Sequence, residues 1–130
     1  MKFPNQKITT FLMFNGQAEE AMNFYTSIFQ ESEINHILHQ EGGSVLHATF
    51  TLNGQVFMCI DNNNEDDHPF TPAISLFVSC TTEDEVEMLF EKLSFEGRVL
   101  MPLCSLPVSK KFGWVEDRFG ISWQLNLPQE

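Results

Sequence analysis

Gly113-Trp114-Val115-Glu116-Asp117-Arg118-Phe119-Gly120-Ile121-Ser122-Trp123-Gln124-Leu125-Asn126-Leu127-Pro128-Gln129 is the stretch that decides the fold. It reads as a strand (Phe112–Glu116), a tight turn at Asp117-Arg118-Phe119-Gly120, and a returning strand (Ile121–Leu127). In the returning strand Ile121, Trp123, Leu125 and Leu127 alternate with Ser122, Gln124 and Asn126. Successive strand side chains point to opposite faces, so the apolar set marks a half-buried strand. The other set is polar but uncharged, which suits a cleft better than open water.

Working outward, the same kinds of element occur twice. In the first half Ile8–Phe14 is a strand, broken by Asn15-Gly16. Gln17–Phe29 is a helix, with Ala18, Ala21, Met22, Tyr25, Ile28 and Phe29 on one stripe. Glu19 and Glu20 lie in its first turn, where the helix dipole favours acids. Strands follow at Glu33–His39, Ser44–Leu52 and Gln55–Ile60. Asn53-Gly54 between the last two is a strong hairpin signal. Asp61–Pro69 is a polar, acidic linker.

In the second half Ala73–Cys80 is a strand, and Thr82 with Glu85 forms a capping box. Val86, Leu89, Phe90 and Leu93 give a second helical stripe, which Gly97 ends. Val99–Leu106, Phe112–Glu116 and Ile121–Leu127 are three further strands. The chain is therefore βαβββ twice, offset by about 65 residues in pattern rather than identity. The modules span 1–66 and 67–130 of one domain, or are two fused small modules.

With 130 residues, 13 of them Phe, the chain is long enough for a real core. A net charge of −11 repels nucleic-acid backbones and anionic membranes. Cys59, Cys80 and Cys104 are odd in number and widely spaced, which predicts reduced thiols in a cytoplasm. No secretory h-region and no apolar run of membrane-spanning length is present.

Two βαβββ modules resemble the vicinal oxygen chelate superfamily, which includes glyoxalase I, bleomycin-resistance proteins and extradiol dioxygenases. Phe14-Asn15-Gly16-Gln17-Ala18-Glu19-Glu20-Ala21 with Phe24-Tyr25 and Phe29 is similar to the PhnB-like branch. So are Asn53-Gly54-Gln55, Phe70-Thr71-Pro72-Ala73-Ile74-Ser75-Leu76-Phe77-Val78, and Gly113-Trp114 through Trp123-Gln124. That branch often carries the label 3-demethylubiquinone-9 3-methyltransferase. A typical methyltransferase needs a cofactor pocket at the end of a parallel strand, commonly with a glycine-rich turn, and no Gly-x-Gly occurs here.

The resemblance implies an α+β fold in which the two modules form a curved mixed sheet around a cleft, with the helices outside. It also implies homodimers, sometimes with exchanged modules. In metal-using members four ligands come from the first and fourth strands of each module. Those positions fall at Thr10, at or near Met58, at Ala73 and at Gln124, and only Gln124 is a plausible ligand. No metal and no cofactor is expected. The same positions imply that Thr10, Met58, Ala73, Ser75, Ser122 and Gln124 line the cleft, with Phe11, Ile74, Leu76, Ile121 and Trp123 against the helices. Small residues there also suit chain packing or dimer contact.

His47 shares a strand face with Val45, Thr49 and Thr51, and on a cleft face it is a candidate general base or hydrogen-bond donor. Its other reading is a structural histidine. His36 and His39 have opposite strand parity and form no metal pair. Trp114 is a candidate cleft wall, and Glu116 on its face is the candidate acid or a solvated charge. The run from Asp61 loosely imitates a calcium loop but lacks its glycine and terminal glutamate. No His adjoins Cys104 in sequence to activate its thiol.

The function expected is a metal-free binding protein for an unidentified small molecule, or an enzyme of unidentified reaction. The rivals are a metal-dependent lyase or oxygenase of the glyoxalase or dioxygenase type, and a ferredoxin-like regulatory module working through protein contacts. Neither nucleic acid nor membrane is an expected partner.

Overall fold

The computed structural model describes residues 4–62 and 68–129. Its contacts divide the chain into two compact units, Met1–His68 and Pro69–Glu130. The first holds β1 (Thr10–Phe14), α1 (Ala18–Ile28), β2 (Glu33–His39), β3 (Val45–Leu52) and β4 (Gln55–Asp61). The second holds β5 (Ser75–Ser79), α2 (Glu83–Ser94), β6 (Arg98–Leu106), β7 (Ser109–Glu116) and β8 (Ser122–Pro128). The sheet orders are β1-β4-β3-β2 and β5-β8-β7-β6. In each, the first strand runs parallel to the fourth and the remaining pairs are antiparallel. The α+β repeat of βαβββ is thus present. Its strands form two four-stranded mixed sheets, one in each unit.

In the first unit α1 has no cap from its own sequence, since the Gln17 side chain makes no capping bond. Asp61, from the end of β4, does that work. Its Oδ1 accepts from the Ala18 amide at 2.9 Å, and its Oδ2 accepts from the Val45 amide at 2.9 Å. A carboxylate at a helix N-terminus meets both unpaired amides and the positive end of the dipole. Asp61 is therefore a buried strand residue, not the start of a solvated linker or a calcium loop. The rest of that acidic run, 63–67, lies outside the described residues. On the α1 side Tyr25 packs over Phe50, and Phe50 stacks on Phe57 at 5.3 Å between centroids. Asn53 and Gly54 both take positive φ (49° and 86°), the conformation a two-residue hairpin needs.

In the second unit Thr82 Oγ1 accepts from the Glu85 amide at 3.1 Å, as a capping box requires. The returning carboxylate reaches the amide of Thr81 rather than Thr82. Val86, Leu89 and Leu93 of α2 are buried, as are Val115, Trp123 and Leu125 on the sheet. The closing turn is fixed by Asp117, whose carboxylate accepts from the Phe119 amide, the Ile121 amide and Trp123 Nε1 at 2.8–3.0 Å. Arg118 lies over the Phe119 ring at 4.5 Å.

Three strand starts differ from the sequence reading by two residues or more, and β1 begins at Thr10 rather than Ile8. β5 begins at Ser75, because Thr71 to Ile74 close a turn through the Ile74 amide and Thr71 carbonyl. β7 begins at Ser109, whose hydroxyl hydrogen-bonds to Asn126 Oδ1 at 2.5 Å. Lys110 and Lys111 hid this strand start, since both reach across to acids of α2, Lys110 to Glu83 and Lys111 to Glu83 and Glu87.

At Gly97 a Cβ would lie 2.2 Å from the Glu116 carbonyl oxygen, a backbone atom that cannot swing aside. Gly97→Ala is expected to lower unfolding free energy by about 1–3 kcal/mol in a urea titration. Asp61→Asn turns one acceptor into an N–H donor facing an amide, with an expected loss of about 1–3 kcal/mol. An unchanged midpoint in either variant contradicts these assignments.

Candidate functional site

Each sheet carries one helix, so within each unit one sheet face lacks a helix of its own. Strand register says which side chains occupy that face, since directly opposed residues share it. In the second unit Ser75 lies opposite Ser122, and Ser122 opposite Glu116, which is opposite Arg98. One row further, Phe77, Gln124, Trp114 and Met101 line up across the four strands. Ser79, Asn126, Phe112 and Cys104 form a third row.

A hydrogen-bond chain organises this face. Trp114 Nε1 donates to Ser122 Oγ at 2.8 Å, and Ser122 Oγ lies 2.7 Å from Ser75 Oγ. An indole nitrogen can only donate, so Ser122 accepts there and can pass its own proton to Ser75. Ser75 in turn reaches the Pro72 carbonyl at 3.5 Å. Ser122 is 2% exposed and serves to hold the Trp114 ring in one orientation. Gln124, directly opposite Trp114, is half-buried, and no described residue hydrogen-bonds to its side-chain amide. Exposed Phe77 and half-buried Met101 extend the row to either side. The result is a polar amide between fixed aromatic and apolar groups, the composition of a small-molecule site.

In the first unit the corresponding face carries Phe11, Met58, Thr49 and His36 in one row. Met13 faces Ile60, and Leu38 faces His47. Here the expected parity of β1 is corrected. Thr10 lies opposite Phe57, on the α1 side, while Phe11 lies opposite Met58 on the other face. His47 is 6% exposed, and its pKa is lowered, first by burial and then by His36 nearby. The His36 and His47 ring centroids are 6.4 Å apart.

The structure therefore brings Ser75, Trp114, Glu116, Ser122 and Gln124 onto one face and leaves two expected residues out. Ala73 is an exposed turn residue before β5, and Thr10 is on the wrong side of its sheet. Glu116 is engaged by Arg98 at 3.1 Å, an exposed pair of small energetic weight. The positions that hold metal in the wider superfamily do not fit an ion here. Thr10 and Met58 turn to opposite faces, Ala73 has no donor, and among the described residues no three His, Cys, Asp or Glu converge. The His36–His47 pair escaped the sequence reading because strand pairing is irregular between Ile34 and His36, which parity counting cannot anticipate. The Ser75–Ser122 contact needs the parallel β5–β8 register, which no local signal gives.

The family described as 3-demethylubiquinone-9 3-methyltransferase matches residues 6–126. A PhnB protein from Bacillus cereus of known structure is 58% identical, over 94% of this chain and 99% of its own, with a TM-score of 0.91. Two further structures show the fold alone. A glyoxylase/bleomycin resistance protein/dioxygenase domain from Frankia sp. EAN1pec is 12% identical, covering 99% of this chain and 95% of its own at a TM-score of 0.70. The fosfomycin resistance protein FosX from Listeria monocytogenes is 11% identical, covering 98% and 96% at a TM-score of 0.68. No curated protein matches the chain.

Burial pushes the Cys59 and Cys80 thiols up to about 12, while Cys104 is only half-buried. A thiol reagent near neutral pH is expected to label Cys104 alone in the folded protein and all three after unfolding. Equal labelling of Cys59 or Cys80 in the folded state contradicts the packing. For His47 the folded pKa lies below the unfolded value of 6.5. The unfolded chain then binds the extra proton, so stability from neutral His47 is complete above that value and falls as pH drops below it. His47→Gln is expected to flatten this slope in denaturation measured across that range.

Proposed function

The chain belongs to the 3-demethylubiquinone-9 3-methyltransferase family, the PhnB-like branch of the vicinal oxygen chelate superfamily, and from that premise we propose that it binds a small organic molecule without a metal ion. Any catalysis then takes place on the molecule so bound. The observation that carries this reading is the Gln124 amide beside Trp114, with the indole held by Ser122 and Ser75. A side-chain amide offers both donors and an acceptor, so it suits a ligand edge carrying a carbonyl or N–H. Trp114, Phe77 and Met101 offer flat and polarisable contact to the body of that ligand.

Methyl transfer fits the residues poorly. Neither unit has a doubly wound parallel sheet, and each sheet has only one parallel pair. A homodimer in the cytoplasm belongs to the same reading, supported by the family resemblance and the three free thiols. Among the described residues no helix is long and apolar enough to cross a membrane.

Elemental analysis of untagged protein, with native mass spectrometry, tests the proposal. The expected result is a metal-free dimer that retains an organic mass or gains one in a metabolite screen. Stoichiometric zinc, nickel, manganese or iron overturns the metal-free part. Gln124→Leu is expected to weaken retained binding about tenfold or more, as loss of a ligand hydrogen bond does.

A further inference from the structure

The Gln124 amide lies between two aromatic side chains in one row of the second sheet. Phe77 on β5 is its neighbour on one side, and Trp114 on β7 is its neighbour on the other. Adjacent strands run about 5 Å apart, so the backbones of Phe77 and Trp114 stand about 10 Å apart across Gln124. Aromatic contacts place ring centroids about 4.5–7 Å apart, so two close contacts in series span about 9–10 Å. The gap matches one flat ring set edge-on to the sheet. Trp114 is held by its bond to Ser122 Oγ at 2.8 Å, and Phe77 is 59% exposed. No ring among the described residues stacks on either of them. Gln124, at the floor of the gap, is half-buried, and no described residue hydrogen-bonds to its side-chain amide.

We propose that this gap receives an uncharged planar lactam, a flat ring with an N–H next to a carbonyl, set edge-on to Gln124 between Phe77 and Trp114. This rests on the small-molecule reading above and adds the class of the ligand. The Gln124 carbonyl accepts from the lactam N–H, and the Gln124 NH2 donates to the lactam carbonyl. Side-chain amides make the same two-bond pair with the donor and acceptor edge of a nucleobase. An edge with two acceptors leaves the Gln124 carbonyl facing a lone pair, and an edge with two donors leaves its NH2 facing another N–H. The absence of charge follows from the neighbouring side chains. The charged residues of the four strands are Arg98, Lys110, Lys111 and Glu116. Lys110 and Lys111 reach acids of α2. Arg98 and Glu116 pair with each other at 3.1 Å, one row from Gln124. That pair leaves the face without net charge, so a charged ring loses hydration with no opposite charge to replace it.

The test titrates the full chain with small probes, read by calorimetry and by proton–nitrogen NMR of the Gln124 amide and the Trp114 indole. Oxindole is the planar lactam. N-methyloxindole lacks its N–H, δ-valerolactam lacks its flat ring, and indole-2-carboxylate adds a charge. Oxindole is expected to bind about tenfold more tightly than each of the three, with its ring protons shifted upfield between the two aromatic side chains. Gln124→Glu keeps an acceptor and loses the donor. It is expected to weaken oxindole about tenfold and to strengthen 2-aminobenzimidazole, whose protonated edge offers two N–H donors, by a similar factor. A purely structural Gln124 does not exchange one preference for the other. Equal binding of oxindole and N-methyloxindole, oxindole protons that stay in place, or an unchanged preference in Gln124→Glu overturns the lactam assignment. Tighter binding of indole-2-carboxylate overturns the neutral one. If flat probes move the Trp114 and Gln124 signals without this order of affinities, only this inference fails. If no probe moves them, the small-molecule reading fails with it.

Discussion

Each sheet has two faces and only one helix in its unit. That imbalance is the constraint from which the rest of the structure follows. A helix stripe of Ala18, Ala21, Met22 and Tyr25, or of Val86, Leu89 and Leu93, covers one face with apolar side chains. Strand alternation then places every second residue on the other face, whatever the sequence there. In the second sheet those residues are Ser75, Ser122, Gln124 and Trp114, and in the first they are Thr49, His36, His47 and Met58. Two buried aspartates keep the geometry rigid. Asp61 fastens the start of α1 to β3, and Asp117 fastens the last turn to Trp123.

The elements that read most clearly in the sequence are those with local periodicity. The alternation of Trp123, Leu125 and Leu127 is present in β8, with Ile121 buried just before it, and Asn53-Gly54 makes the hairpin its dipeptide implies. Thr82 caps α2, although its partner Glu85 returns to Thr81. These signals lie within a few residues of chain and depend on backbone preferences. Asp61 did not read clearly, because a buried aspartate in an acidic run looks like any solvated acid until the amides of Ala18 and Val45 are seen around it.

Site residues were legible in proportion to how well their strand parity was fixed. Alternation along β8 puts Ser122 and Gln124 on one face, and the register sets Trp114 on that face opposite Gln124. Thr10 on the cleft face follows only from the family resemblance, and the register sets it on the α1 side instead. Ala73 reads as strand in the sequence, but the turn closed by Ile74 and Thr71 holds it outside β5. His36 depends on the irregular pairing after Ile34. Irregular pairings and loop lengths shift parity by one residue, and a shift of one moves a side chain through the sheet.

The central claim is that the face carrying Trp114 and Gln124 binds small molecules. The chain has two indoles, and they lie on opposite faces of one sheet. Trp114 Nε1 donates to Ser122, and Trp123 Nε1 donates to buried Asp117. A proton–nitrogen correlation spectrum of the labelled protein, recorded against a fragment library, reads both at once. The account predicts that binders shift the Trp114 indole and the Gln124 side-chain amide while the Trp123 indole stays in place. Binders that move Trp123 or other surfaces and leave Trp114 untouched would contradict it.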